Sequence, residues 1–202
     1  MKKKIILSLL VLISLFMVTG CGKKKENPEV EKNANEILNK ETDNNSDSKV
    51  LVVYFSRTGE NYNVGNVEVG NTAIMASYIK EYLNADSFEI VPVNKYPDSY
   101  DECLKVATKE KEEDARPAIE SKLDDISKYD TIFIGYPIWW GDVPHIILTF
   151  MDTYKLDGKT VIPFCTSGGT DIGGSINTLK KYNKNVNWIN GKRLNNNEKD
   201  IK

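Results

Sequence analysis

Hydrophobic positions divide the chain into three unlike stretches. Residues 5–18 form an apolar run, interrupted only by Ser8 and Ser14, behind Lys2, Lys3 and Lys4; residues 22–48 are almost wholly polar; from residue 49 onward apolar clusters alternate with polar spacers. In the third stretch, residues 50–55 (Val-Leu-Val-Val-Tyr-Phe) and 131–136 (Thr-Ile-Phe-Ile-Gly-Tyr) are continuous apolar runs. Such runs suit strands buried on both faces of a parallel sheet. Residues 160–164 predict a third such strand, 88–91 a short one and 186–189 an edge strand. Between them, residues 72–83 carry Ile74, Met75, Ile79 and Leu83 at helical spacing, with Thr72 placed to cap the helix. Residues 100–112, 144–151 and 175–182 predict three further helices, the second with Pro144 at its start. Strands alternating with helices imply crossover connections and a doubly wound, three-layer αβα sheet. Five strands make the order 2-1-3-4-5 the natural expectation. A helix expected after the last strand is barely begun at residues 197–202.

The first two stretches read as a leader and a tether. A run of 14 residues is too short to span a bilayer, which takes ~20, and fits the core of a signal peptide behind a basic start. Val18-Thr19-Gly20-Cys21 resembles the bacterial lipobox, which implies cleavage before Cys21 and lipidation of its thiol. Residues 1–20 are therefore expected to be a lipoprotein signal peptide. Residues 21–48 are the lipidated Cys21 and a disordered linker, since Val30, Ile37 and Leu38 are too few for an amphipathic face. Two or more acyl chains anchor stably, so the expected location is the outer face of the cell membrane.

Composition and charge narrow the classes. Of 202 residues, 40% are hydrophobic and 28% charged, with 27 Lys and Arg against 29 Asp and Glu. Residues 49–202 hold 19 basic and 22 acidic side chains, a net −3. With no basic stripe interleaved with aromatics, nucleic acid is not an expected partner. Cys21, Cys103 and Cys165 lie far apart, with no CxxC or Cys/His ligand spacing, which excludes a zinc site or disulfide framework as the organising principle. A Cys103–Cys165 bridge has no support. Gly158-Lys159-Thr160 ends like a P-loop, but Thr160 begins a strand and not a helix. His145, the only histidine, reads as structural, Cys165 as a buried thiol, and residues 110–114 as a solvated helix face.

In an open parallel sheet, ligands sit at the carboxyl ends of the strands, where the strand order reverses. Three loops leave those ends: 56–71, 137–143 and 166–175. The first begins Ser56-Arg57-Thr58-Gly59 and ends Asn71-Thr72; hydroxyls, amides and a helix start can hold a phosphate without a paired lysine. Tyr54 to Gly59 resembles the phosphate loop of flavodoxins, Ser-x-Thr-Gly-Asn-Thr. Residues 60–70 are an insertion in it that leaves either Asn61 or Asn71 as the asparagine match, with Thr72 the better threonine. Tyr136-Pro137-Ile138-Trp139-Trp140-Gly141 resembles the loop lying along the flavin ring in that family. Two adjacent tryptophans at a loop tip expose more apolar surface than a soluble domain leaves uncovered, unless one or both belong to the core. Thr166-Ser167-Gly168-Gly169 resembles the third loop, where amides approach the ring's polar edge. Tyr96-Pro97 and Arg116-Pro117 also recur in flavodoxin-like proteins.

The resemblance spans residues 49–202 and implies noncovalent FMN held by Ser56, Arg57, Thr58, Gly59, Asn71, Thr72, Pro137, Ile138, Trp139, Trp140, Gly141, Thr166, Ser167, Gly168 and Gly169. No side chain need act as acid or base. It implies an electron carrier, here tethered near a membrane-associated redox protein. The alternatives are an FMN-dependent NAD(P)H:quinone-type oxidoreductase on the same fold, or a lipoprotein binding module without flavin. Fold does not decide between carrier and enzyme.

Overall fold

The structure, a computed structural model, describes residues 49–195. The expected signal peptide, the lipidated Cys21 with its linker, and the helix expected to begin at 197–202 lie outside the described residues. Strand β1 (Lys49–Tyr54) leads into a hairpin of β2 (Gly59–Asn61) and β3 (Gly65–Val67), then helix α1 (Asn71–Leu83) and β4 (Asp86–Glu89). Helix α2 (Tyr100–Glu112), β5 (Tyr129–Pro137), α3 (His145–Thr153), β6 (Thr160–Thr166) and α4 (Gly173–Tyr182) follow, with two short strands, β7 (Asn187–Trp188) and β8 (Lys192–Arg193), at the end.

The main sheet is parallel with order β4-β1-β5-β6-β7, and β8 also pairs with β6. This is the expected flavodoxin-like order, with one difference at the edge. The last strand expected at 186–189 is β7, and a further short strand, β8, follows it on the same edge, making six strands. The cause is Pro163. The carbonyls of Lys159, Val161 and Cys165 accept from Asn187, Ile189 and Leu194, so alternation turns residue 163 toward the same edge. A proline there has no N–H to offer an edge strand, and the edge pairing breaks opposite it. Gly191 bridges the gap so close to the Pro163 carbonyl that a Cβ would collide with it.

β1 buries both faces, as its unbroken apolar run requires. Leu51, Val53 and Phe55 join Ile132, Ile134, Ile146, Ile147, Phe150 and Leu179 in one cluster that includes Cys103 of α2, while Val52 packs with Met75, Ala76 and Ile79 of α1. On the α1 side Gly135 leaves room for the Phe164 ring opposite it in β6.

Two expectations are corrected. The helix cap at residue 72 is at Gly70 instead; Thr72 lies inside α1, and its buried hydroxyl is 2.8 Å from that of Thr166. Ser56 does the capping from the end of β1, its Oγ accepting from the Ala73 amide at 3.1 Å. Residues 110–114 are not all solvated either. Glu110 is half-buried and accepts the Tyr96 hydroxyl at 3.1 Å, and burial holds its carboxyl above the usual glutamate range.

Candidate functional site

A cavity of about 330 Å³ opens at the carboxyl ends of β1, β5 and β6. It lies where the chain, having placed β4 on one side of β1, crosses to place β5 on the other, the position where open sheets bind ligands. Ser56, Arg57, Asn71 and Thr72 line it from the first loop, Pro137 to Gly141 from the second, and Thr166 to Thr170 from the third. Backbone bonds from Phe55 N to Gly135 O and Ile138 N to Thr166 O, both 2.9 Å, tie the loop roots together.

Thr58 and Gly59 are not among the lining residues. The insertion carries them away. The chain leaves the strand end at residue 58, runs out along β2 and back along β3, and returns at Gly70, where a Cβ would collide with Ser56 Oγ and the Arg57 carbonyl. The base of the hairpin is thus closed, and Ser56-Arg57 is joined in space to Gly70-Asn71-Thr72. Asn71 holds the helix-start position, while Asn61 lines the cavity from the hairpin and donates to the Gly59 carbonyl at 2.9 Å.

Arg57 is a lining residue whose guanidinium is engaged elsewhere. It is 8% exposed and donates to the carbonyls of Pro97 (2.6 Å), Asp98 (2.8 Å), Ser99 (3.3 Å) and Glu60. It pins the hairpin base to the segment before α2.

The tryptophans separate into two roles. Trp139 sets its ring edge-on against Tyr96 and Phe55, at centroid distances of 4.9 and 5.5 Å, and packs on the core. Trp140 is 51% exposed. Trp139 and Asp142 exchange backbone bonds at 2.9 and 3.0 Å around Trp140 (φ 52°) and Gly141 (φ 73°). Positive φ at both central residues defines a type I′ turn; glycine adopts it at no steric cost, whereas tryptophan is strained there. Asp142 anchors the turn, accepting from its neighbour Val143 N at 2.7 Å and from Thr178 Oγ1 at 2.8 Å.

The third loop is held by its own serine, by β8 and by the hairpin. Ser167 Oγ accepts from the Gly169 and Thr170 amides, Arg193 of β8 donates to the Gly169 carbonyl at 2.9 Å, and Asn63 of the hairpin reaches the Gly168 carbonyl at 3.3 Å.

Sequence reasoning missed two walls. Tyr62, Val64 and Val67 line the cavity from the hairpin; Tyr100, Cys103, Leu104 and Ala107 line it from α2. The hairpin had a legible signal in Asn63-Val64-Gly65, whose outer two residues have positive φ. The α2 wall had a weaker one, the spacing of Cys103, Leu104 and Ala107 on one helix face. Both described cysteines are buried and free; burial raises the Cys103 thiol and pushes Cys165 up to about 12. His145 Nδ1 lies 3.0 Å from the Ala115 carbonyl, a structural contact away from the lining residues. Among the described residues no acidic, histidine and cysteine group could hold a metal, and no helix is long and apolar enough to cross a membrane.

Known proteins agree with this architecture. A candidate flavoprotein from Bacteroides eggerthii DSM 20697 is 40% identical, covering 77% of this chain and 94% of its own with a TM-score of 0.66. One from Bacteroides uniformis ATCC 8492 is 34% identical, covering 77% and 96% with a TM-score of 0.64. A flavoprotein from Lactobacillus acidophilus NCFM, solved in complex with FMN, shares the fold at 24% identity, 72% and 93% coverage and a TM-score of 0.58. No curated protein matches the chain. Residues 49–202, the whole of the globular stretch, match the flavodoxin family, and the chain belongs to it.

Proposed function

We propose that residues 49–202 bind FMN and act in electron transfer, held at the outer face of the cell membrane by a lipid on Cys21. The observation that carries this reading is the convergence of three loops, from three neighbouring strand ends, on one cavity. The residues present fit the cofactor. Ser56, Thr72 and the start of α1 offer the hydroxyl and amide chemistry that a phosphate needs. Trp140 offers a half-exposed ring, and the space where a Cβ would stand on Gly141 or Gly169 is open, so backbone can come close to a flat ligand. Bound FMN would supply one- or two-electron chemistry, with the protein contributing position and electrostatics. The FMN complex of the Lactobacillus relative supports the assignment.

A tether raises the local concentration of the domain beside a membrane-associated redox protein, which favours the carrier reading. The net −3 of residues 49–202 does not commit the domain to a strongly basic partner. A small-molecule oxidoreductase is the second reading, favoured by the apolar hairpin and α2 walls.

Purified residues 22–202 should be yellow and take up FMN on titration. Ser56→Ala and Thr72→Ala should weaken FMN far more than riboflavin, because only FMN carries the phosphate; equal losses refute the phosphate assignment. Cys21→Ser should move the protein out of the membrane fraction or leave it unprocessed, and a mature chain beginning elsewhere refutes the anchor. Steady-state turnover with NADH or NADPH and a quinone, on the order of 1 per second or faster, would replace the carrier reading with the enzyme.

A further inference from the structure

The chain has three arginines, Arg57, Arg116 and Arg193, and the fold satisfies two of them. Arg57 donates to four backbone carbonyls, and Arg116 pairs with the carboxylates of Asp114 and Asp152. Arg193 makes one bond, from Nη1 to the Gly169 carbonyl at 2.9 Å. Its Nε is buried and meets no hydrogen-bond partner among the described residues. No carboxylate among them lies within ion-pair distance of it either. A guanidinium carries five donors and keeps its charge throughout the physiological range. One that is partly buried with an N–H unpaired is stabilised when negative charge comes near.

The break in the edge pairing opposite Pro163 puts this cation beside the cavity. β8 rejoins β6 at its carboxyl end, with Arg193 opposite Cys165 and Leu194 N donating to the Cys165 carbonyl at 2.8 Å. The next residue, Thr166, opens the third loop, and Thr166 to Thr170 line the cavity. Arg193 is not itself a lining residue; it reaches the wall through Gly169. Its charge is felt at this end of β6: burial pushes the Cys165 thiol up to about 12, Asp171 adds to the rise, and Arg193 opposes it. Neighbouring charges do not cancel it. Asp171 and Lys192 are exposed and screened by water, and the Asp142 carboxylate is engaged by Val143 N and Thr178 Oγ1. Among the described residues no carboxylate lines the cavity.

We infer that Arg193 is a positioning residue that favours the reduced form of the bound cofactor, by placing an unpaired positive charge behind the Gly169 wall. The inference rests on the FMN reading of the three loops. At neutral pH, reduction of a flavin ring takes up two electrons and one proton, so the neutral ring becomes singly negative. The electrons come from the electron-donating redox protein of that reading. A fixed cation behind the wall stabilises the negative form and leaves the neutral one nearly unaffected. The domain then accepts electrons more readily and is the weaker reductant.

The test uses the full-length protein in detergent. Oxidised FMN is titrated first, and failure to take it up refutes the FMN reading and this inference with it. The two-electron midpoint potential of the loaded protein is then measured by spectroelectrochemical titration with soluble mediators. Arg193→Gln keeps a donor for Gly169 and removes the charge. It should prefer reduced over oxidised FMN about tenfold less than the parent does, a midpoint lower by about 30 mV. Its affinity for oxidised FMN should stay within about threefold of the parent's, because one loop bond is at stake and not the phosphate site. Arg193→Met should show the same fall, so the readout survives if one variant misfolds. Arg193→Lys should hold the parent's preference to within about twofold, since the charge is kept. An unmoved midpoint in the charge-free variants overturns the inference, and equal weakening of both redox forms would make Arg193 a mechanical grip on the loop. A fall of the same size in Arg193→Lys overturns it too.

Discussion

Removing the Arg57 guanidinium should unfold the base of the hairpin without touching phosphate recognition. The side chain is 8% exposed, and its shortest unambiguous bonds are to Pro97 O at 2.6 Å and Asp98 O at 2.8 Å, with Ser99 O at 3.3 Å and Glu60 O completing the set. Hydrogen bonds from a charged donor contribute about 1.5–3 kcal/mol each, and an orphaned buried carbonyl costs about 1–3 kcal/mol. Glu60 and Asp98 are themselves exposed, so water repairs part of the loss when the segment opens. Two strong bonds less that repair give about 3 kcal/mol for Arg57→Met. For a domain of this size that lowers the melting temperature by roughly 6–12 °C. Arg57→Lys keeps the charge but not the planar fork, and should recover only part of the loss. Thermal melts of the FMN-free protein measure the stability, and paired FMN and riboflavin titrations measure phosphate recognition. A melting shift of a degree or two, or a variant that no longer prefers FMN to riboflavin, would refute the structural role and return Arg57 to the phosphate.

Two further outcomes follow from burial. Gly135→Ala should destabilise by about 1–3 kcal/mol, because its Cβ would meet the Phe164 ring; a denaturation midpoint equal to the parent's would contradict this, and Gly135→Ala with Phe164→Leu should recover part of the loss. Glu110→Gln should stabilise the domain near neutrality. Burial raises the folded-state carboxyl above its ordinary 4.5, so the stability linked to this group is full below that value and is lost as pH rises through the folded value. The variant should match the parent in acid and exceed it at neutral pH, as read from denaturation curves at both; a gain of equal size at both pH values would place the effect outside Glu110 ionisation.

Apart from the β2–β3 hairpin and β8, the strands, the helices and their alternation were legible residue by residue. Val50 to Phe55 has the length and β-branched, aromatic composition of a strand with two covered faces, and the spacing of Ile74, Met75, Ile79 and Leu83 fits one buried side of a helix; these are local facts of period and polarity. The three loops were legible for a related reason: a chain that alternates strand and helix in parallel must turn at the carboxyl ends, so their position followed from topology. What lines the cavity was not a local matter. Thr58 and Gly59 have the residue types for a phosphate loop, but they fall outside the cavity's lining residues once Gly70 returns onto Ser56, an approach made by backbone 14 residues downstream. Arg57 lines the cavity as its sequence position suggests, yet its guanidinium donates to the Pro97 and Asp98 carbonyls. Trp139 and Trp140 are indistinguishable as letters; Phe55 and Tyr96 claim the first, and a left-handed turn turns the second outward. Periodicity reports which face of an element is buried, because that depends on the element itself. Which partner satisfies a given polar group or covers a given ring depends on segments distant in the chain, and only the folded structure brings those together.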